Sequence, residues 1–476
     1  FEVSTGAGVT NLDGSIAVEG AGNDIDIDRD GIVLHRAVTL SALDGDVSIN
    51  NLAGGGNSLT ITADVNETNS GAVNIDAISD VSDLTATAGQ ALTTSDAIAG
   101  SGDISLTANA DNDGDDEDLT VGGTIRGSSV TLTAVGADTD TGIVLNSDIG
   151  NTAGSLTLNA TTGAGTIDPA AAVTTLTALG DIIIDSGQLD LTDVGRTITS
   201  TEGNIRFDEA VDGSETLAVN ATQGNVTFGA TVGAGTRLDS LQLNAQSANI
   251  NSISTDEGDI DFTGTAAVVL DSNVVLDTAD AGAAGDVLFG NATIDSDAAG
   301  SIRNLTISVE SAADAGNVTL GEVGGSVPVG ILAVNHAGTT DGTITLAGDI
   351  TTTGAVSFDG ATTTDITLVD DIVITTSNDA VDLGGDAATD VLDGAFSLAV
   401  LAGTGQVDLP VITEITGLTT TSGDINIAQA IAVAGRVSMT ATSGTVDVDA
   451  TLTVTGAAGD VVISHSGTGD VKINAD

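Results

Sequence analysis

The chain predicts an all-β fold, a parallel β-helix wound as one elongated β-solenoid. Three observations carry that expectation: a turn-plus-strand unit recurs from end to end, no helical unit separates its copies, and the composition favours Gly and β-branched residues. The unit reads Gly45-Asp46-Val47-Ser48-Ile49, in general Gly-x-[Ile/Val]-x-[Ile/Leu/Phe/Val]. It returns at 102–106, 180–184, 203–207, 224–228, 258–262, 285–289, 316–320, 354–358, 423–427 and 469–473. Each copy is a glycine turn followed by a short strand whose apolar side chains lie two apart, as one buried face requires. Many copies fall about 20 to 35 residues apart, the length of a solenoid repeat. Closer copies imply that several sides of a coil use the same unit.

A second kind of strand lacks the leading glycine. Leu59-Thr60-Ile61-Thr62-Ala63, Val130-Thr131-Leu132-Thr133-Ala134, Leu156-Thr157-Leu158-Asn159-Ala160 and Leu241-Gln242-Leu243-Asn244-Ala245 again place apolar residues two apart. Gly-rich corners such as Gly54-Gly55-Gly56-Asn57 separate the two classes, and two or three strands fit each coil. A single globular core rarely grows to 476 residues, and no break in composition marks a boundary. Residues 1–476 therefore read as one continuous repeat region, with an acidic loop inserted near 109–118. Val, Ile, Leu and Thr are too abundant for a disordered chain, although the net charge of -59 would otherwise point there.

The acidity narrows the partners. Acidic residues number 68 against 9 basic ones, and most are Asp, whose short side chain favours turns where Glu favours helices. The carboxylates are thus expected at coil corners. Such a surface repels phosphate backbones and anionic lipid heads, which excludes nucleic acid and membrane surfaces as partners. No apolar run of about 18 residues offers membrane insertion. Self-repulsion along a rod calls for screening by salt or divalent cations. The chain has no Cys and hence no disulfides, and it begins at Phe1 rather than Met, as expected of a processed piece or a segment of a longer chain.

Two acidic stretches are candidates for Ca2+, and no other cofactor is required. Asp26-x-Asp28-x-Asp30-Gly31 matches the first half of a calcium loop, but Ala37 stands where the closing Glu belongs. The same residues also fit the outward face of a strand whose inward face carries Ile25 and Ile27. Asp111, Asp113 and Asp115 lie in the densest acid run, 111–118, which reads as a protruding loop in need of counter-ions.

The aromatic residues set the register. Phe207, Phe228, Phe262, Phe289 and Phe358 all occupy the last apolar position of the glycine unit, and equivalent positions one coil apart lie about 4.8 Å from one another. They are expected as a core stack rather than as sugar-binding rings.

Little material for catalysis is present. His35, His336 and His465 are far apart in sequence, there is no Cys nucleophile, and Asp370-Asp371 is an acid pair of the kind an Asp-rich chain produces by chance. A sugar cleft would ordinarily be walled by Trp or Tyr, and neither residue occurs. Asn66, Asn159, Asn220, Asn225, Asn291, Asn304 and Asn317 head Asn-x-Ser/Thr sequences, explained for the most part by the abundance of Asn and Thr. Thr351-Thr352-Thr353 and Thr362-Thr363-Thr364 bring an ice-binding array to mind, but clusters of this kind are too irregular to form one.

Strings such as Gly102-Asp103-Ile104-Ser105-Leu106-Thr107-Ala108 and Leu156-Thr157-Leu158-Asn159-Ala160 resemble the repeats of filamentous-haemagglutinin-type adhesins, secreted by the two-partner route, and of giant bacterial surface proteins. The resemblance implies a right-handed parallel β-helix outside the cell, at the bacterial surface, serving as a stalk or adhesive fibre. Neither Phe1-Glu2-Val3 nor Val471-Lys472-Ile473 reads as a cap, so flanking repeats or head-to-tail copies of the chain are the expected neighbours. The expected function is structural or adhesive, without catalysis, with a cell-surface or glycan ligand. An S-layer-like or calcium-dependent surface coat is the alternative, and a polysaccharide-active β-helix enzyme the minor one.

Overall fold

The computed structural model describes residues 2, 9–20, 22–28, 31–65, 71–109, 118–135, 142–151, 153–161, 166–279, 282–311, 315–336, 342–359, 365–384, 390–457 and 459–474. Of the residues singled out above, Phe1, Val3, Asp30, Asn66, Asp111, Asp113, Asp115, Thr362, Thr363 and Thr364 lie outside them. The acidic insertion falls between the strands Asp103–Ala108 and Leu119–Val121. The chain forms two compact units, Phe1–Thr236 and Arg237–Asp476, and each winds as a parallel β-solenoid.

In the first unit successive coils contribute strands to three parallel ladders. One stacks Val38–Ala42, residues 59–63, residues 84–88, Asp103–Ala108, Ser129–Val135, Ser155–Thr161, Ile182–Ser186 and Ile205–Phe207. A second carries the column Ile25, Val47, Val73, Leu92, Leu119 and Ile143. The third sets Ile32 against Leu52 and Ile78 against Ile98. Alternation produces this directly. In Val38–Ala42 the side chains of Val38, Leu40 and Ala42 are buried while Thr39 and Ser41 face outward. Each fully buried Val, Leu or Ile contributes about 1.5–3 kcal/mol relative to an exposed one, and every coil repeats the contribution.

The second unit has the same plan. Leu241, Ile260, Val287, Val318, Ile344 and Ile366 form one inward column. Val274–Asp277, Leu305–Ser308, Leu332–Asn335 and Val356–Asp359 stack in another ladder. Ile372–Thr376, Ser397–Leu401, Gly417–Ser422, Val437–Ala441 and Val461–His465 make a third.

Two expectations about the strands are corrected. The glycine-led strands and the second kind are not separate sides of the coil: Ile104 and Leu106 stand opposite Val130 and Leu132, and Leu156 stands opposite Ile182. Leu241 likewise pairs with Ile260. A ladder reads only the inward pair of apolar residues, so the residues before the strand are free to differ. The copy at 45–49, by contrast, lies in another ladder, between Ile25 and Val73.

The five phenylalanines of the glycine unit are buried, yet they do not form one column. Phe207 and Phe228 stack in the first unit with ring centroids 4.9 Å apart and planes 9° from parallel. Phe262 and Phe289 stack in the second unit at 4.9 Å and 14°. Phe358 belongs to a different ladder of that unit and stands opposite Val334, because the glycine unit at 354–358 occupies another side of the coil. Aligned pairs of this kind add about 0.5–1.5 kcal/mol beyond burial.

The recurring glycine has a steric cause. A Cβ on Gly285 would overlap the carbonyl oxygen of Gly258, and one on Gly316 would overlap that of Gly285. The coils approach so closely at this corner that only hydrogen fits.

Candidate functional site

The polar residue that follows the corner glycine is tied to the next coil. In the second unit Asp259 Oδ1 accepts the backbone N–H of Asp286 at 2.8 Å, Asp286 Oδ1 accepts that of Asn317 at 2.7 Å, and Asn317 Oδ1 accepts that of Thr343 at 3.0 Å. The first unit repeats the device: Asp24 takes the N–H of Asp46 at 3.0 Å, and Asp46 takes that of Ala72 at 2.9 Å. At another corner Asp181 takes the N–H of Asn204 at 2.7 Å, and Asn204 that of Asn225 at 2.9 Å. A side chain with one methylene reaches the neighbouring amide and holds it, which explains Asp and Asn here rather than Glu. Each bond satisfies a turn N–H that the strand ladder leaves over.

These bonds act on the carboxylates in turn. The N–H of Asp103, followed by the Ser58 hydroxyl, holds the Asp83 carboxyl below its ordinary range. The N–H and hydroxyl of Ser397 do the same for Asp371. Asp371 of the Asp370-Asp371 pair is therefore a corner acceptor held in its ionised form, the opposite of the raised carboxyl a glycosidase acid needs.

Elsewhere carboxylates crowd. Asp190 stands opposite Asp212 in the first unit, and burial, then the neighbouring Asp168 and Asp212, push the Asp190 carboxyl up. Asp118 is also pushed up, first by burial, with Asp168 adding to it against the bond from the Gly142 N–H. Asp212 itself is nearly buried and accepts the N–H groups of Gly235 and Thr236 at 2.9 and 3.3 Å.

Asp26 and Asp28 adopt the strand-face arrangement: Ile25 and Ile27 point into the core and both carboxylates face solvent. Asp28 accepts a hydrogen bond from Asn50 Nδ2 at 2.9 Å, and with Asp26, Asp76, Ser48 and Asn74 it lines an open cleft of about 220 Å³. Among the described residues no group of three or more His, Asp or Glu side chains converges on a metal-sized centre. His35 is exposed, His336 is buried, and the His465 ring lies 2.6 Å from the Gly444 carbonyl oxygen.

One residue escaped the sequence reading altogether. Arg196 is buried, and its guanidinium donates to the carbonyl oxygens of Val194, Pro169, Ala170 and Thr192. Burial lowers its pKa, while Asp168, Asp193, Glu215 and Asp148 favour the charged form. Alternation could have flagged it, since Arg196, Ile198 and Ser200 are the inward positions of the strand Arg196–Ser200. Carbonyl oxygens at a coil corner supply the partners that a buried cation requires.

No protein-family model matches the chain, and no curated protein matches its sequence. The fold alone places it among β-helix repeat proteins.

Proposed function

We propose that this chain is an extracellular structural or adhesive solenoid, a bacterial surface stalk or fibre of the filamentous-haemagglutinin type, that performs no catalysis. One observation supports the reading above others: the polar residue after the corner glycine is spent on holding coil to coil, as in Asp259, Asp286 and Asn317. A chain built this way supplies length and stiffness, and each coil offers its outward groups again at about 4.8 Å along the stack. Weak contacts with a glycan, a cell surface or another copy of the chain then gain strength by repetition. The net charge of -59 is screened by salt or Ca2+ in this reading.

Electron microscopy of the purified chain with and without millimolar Ca2+, together with protease shaving of intact source cells, tests the proposal. Rods or filaments and release of the chain by shaving are expected. Compact particles, or a chain protected inside the cell, would reject it. Melting in low salt with EDTA against millimolar Ca2+ tests the screening; equal midpoints would remove that part.

A further inference from the structure

We infer that the outer face of one ladder of the first unit is an ice-binding surface. The Thr351-Thr352-Thr353 cluster is not the array. Thr351 faces outward, whereas Thr352 is buried and donates to the Gly354 carbonyl oxygen at 2.6 Å. The array lies elsewhere, and the ladder register assembles it from six separate strands. Thr39, Thr60, Thr85, Ser105, Thr131 and Thr157 follow one another in a single outward column. Two residues along each strand, Ser41, Thr62, Thr87, Thr107, Thr133 and Asn159 form a second column, with no register shift between the two columns in any of these pairings.

The columns make a grid with repeats of about 4.8 Å along the stack and about 6.7 Å along the strand. In hexagonal ice the water oxygens of a prism face repeat slightly below the first spacing along one axis and slightly above the second along the other. The grid also matches ice in charge. In a chain with 68 acidic residues, none of the twelve positions is charged, so the face suits a neutral lattice of hydroxyl donors and acceptors. The Thr hydroxyls of the grid make no hydrogen bond to protein among the described residues, unlike the corner carboxylates. Threonine's branched Cβ restricts χ1, so hydroxyl and methyl positions are largely fixed before contact and little rotamer entropy is lost on binding. The inward partners Leu40, Ile61, Ala86, Leu106, Leu132 and Leu158 are buried and hold the strands in place.

The inference depends on this face alone and not on the surface-stalk reading. Its test uses the purified full chain: partition into a slowly grown ice shell, and thermal hysteresis, for the native protein, for Thr85→Tyr with Thr131→Tyr, for Thr85→Lys alone, and for the control Thr419→Tyr in the second unit. Circular-dichroism melting follows folding. The native chain and the control are expected to enrich in ice and to depress growth, and both face variants are expected to lose these effects while melting as the native chain does. Exclusion of the folded native chain from ice would overturn the inference, as would face variants that keep full activity. Capture by insoluble cellulose or chitin that the face variants abolish, without enrichment in ice, would assign the face to a polysaccharide and overturn it equally.

Discussion

The coil corners and the Thr face of the first unit are both polar, repetitive and outward, but they treat their polar atoms in opposite ways. At the corners Asp259, Asp286 and Asn317 spend their oxygens on the next coil's amides. On the face Thr60, Thr85 and Thr131 stand in register with side chains that face outward. Repetition of a polar residue in a solenoid thus has two origins. Where the backbone leaves an amide unpaired, the repeat is a fastening; where the ladder already satisfies every amide, the repeat is free to meet something outside.

Substitutions separate the two regions by size of effect. Gly285→Ala forces a Cβ against the Gly258 carbonyl and should destabilise by about 1–3 kcal/mol in urea unfolding, the cost of overpacking. A null effect there would mean that the corner is looser than described. Asp286→Ala removes the acceptor of the Asn317 N–H and should cost about 0.5–1.5 kcal/mol, whereas Asp286→Asn keeps an acceptor and should recover most of it. Equal losses from both variants would show that charge, not acceptance, matters. Thr420→Val addresses a hydroxyl in neither region: it is buried without a hydrogen-bond partner among the described residues, and its removal should raise stability by about 1 kcal/mol. Thr85→Ala on the open face should shift unfolding by less than about 0.5 kcal/mol.

The pH response sharpens the comparison further. Asp190 binds its proton more tightly in the folded chain than in the unfolded one, so its contribution is fully present below the unfolded carboxylate pKa and is lost as pH rises through the folded value. Asp371 has the opposite sign: its contribution is present above the unfolded pKa and lost as pH falls through the lowered folded value. Asp190→Asn should therefore raise the melting temperature slightly at pH 7 and lose that advantage toward pH 4. Asp371→Asn should instead lower it at pH 7, with the deficit shrinking in acid. Melting curves of both variants across that range check the signs.

Much of the fold was legible because a solenoid writes its architecture locally. Val38, Leu40 and Ala42 announce a strand face by spacing alone, and Gly-Asp-Val marks a turn. Which strands share a ladder was not legible, since Leu156 and Ile182 look alike to any inward column and only the three-dimensional winding assigns them to one side. Phe358 parted from the other rings for that reason. The placement of Asp at corners followed from side-chain length, but its partner, an amide some 20 to 30 residues on, has no signature in sequence. The Thr grid lay in plain view in Leu-Thr-Ile-Thr-Ala and Val-Thr-Leu-Thr-Ala. It could be seen as a grid only after the register had aligned Thr60 with Thr85 and Thr131 with Thr157.

Hydrogen exchange at the corner amides tests most directly whether the acid-rich corners are fastenings. The N–H groups of Asp286, Asn317 and Thr343 should exchange as slowly as those of their ladder neighbours Val287, Val318 and Ile344, and the Asn317 N–H should lose that protection in Asp286→Ala. Exchange of the three corner amides at the rate of open turns, with the ladder amides protected, would contradict the account.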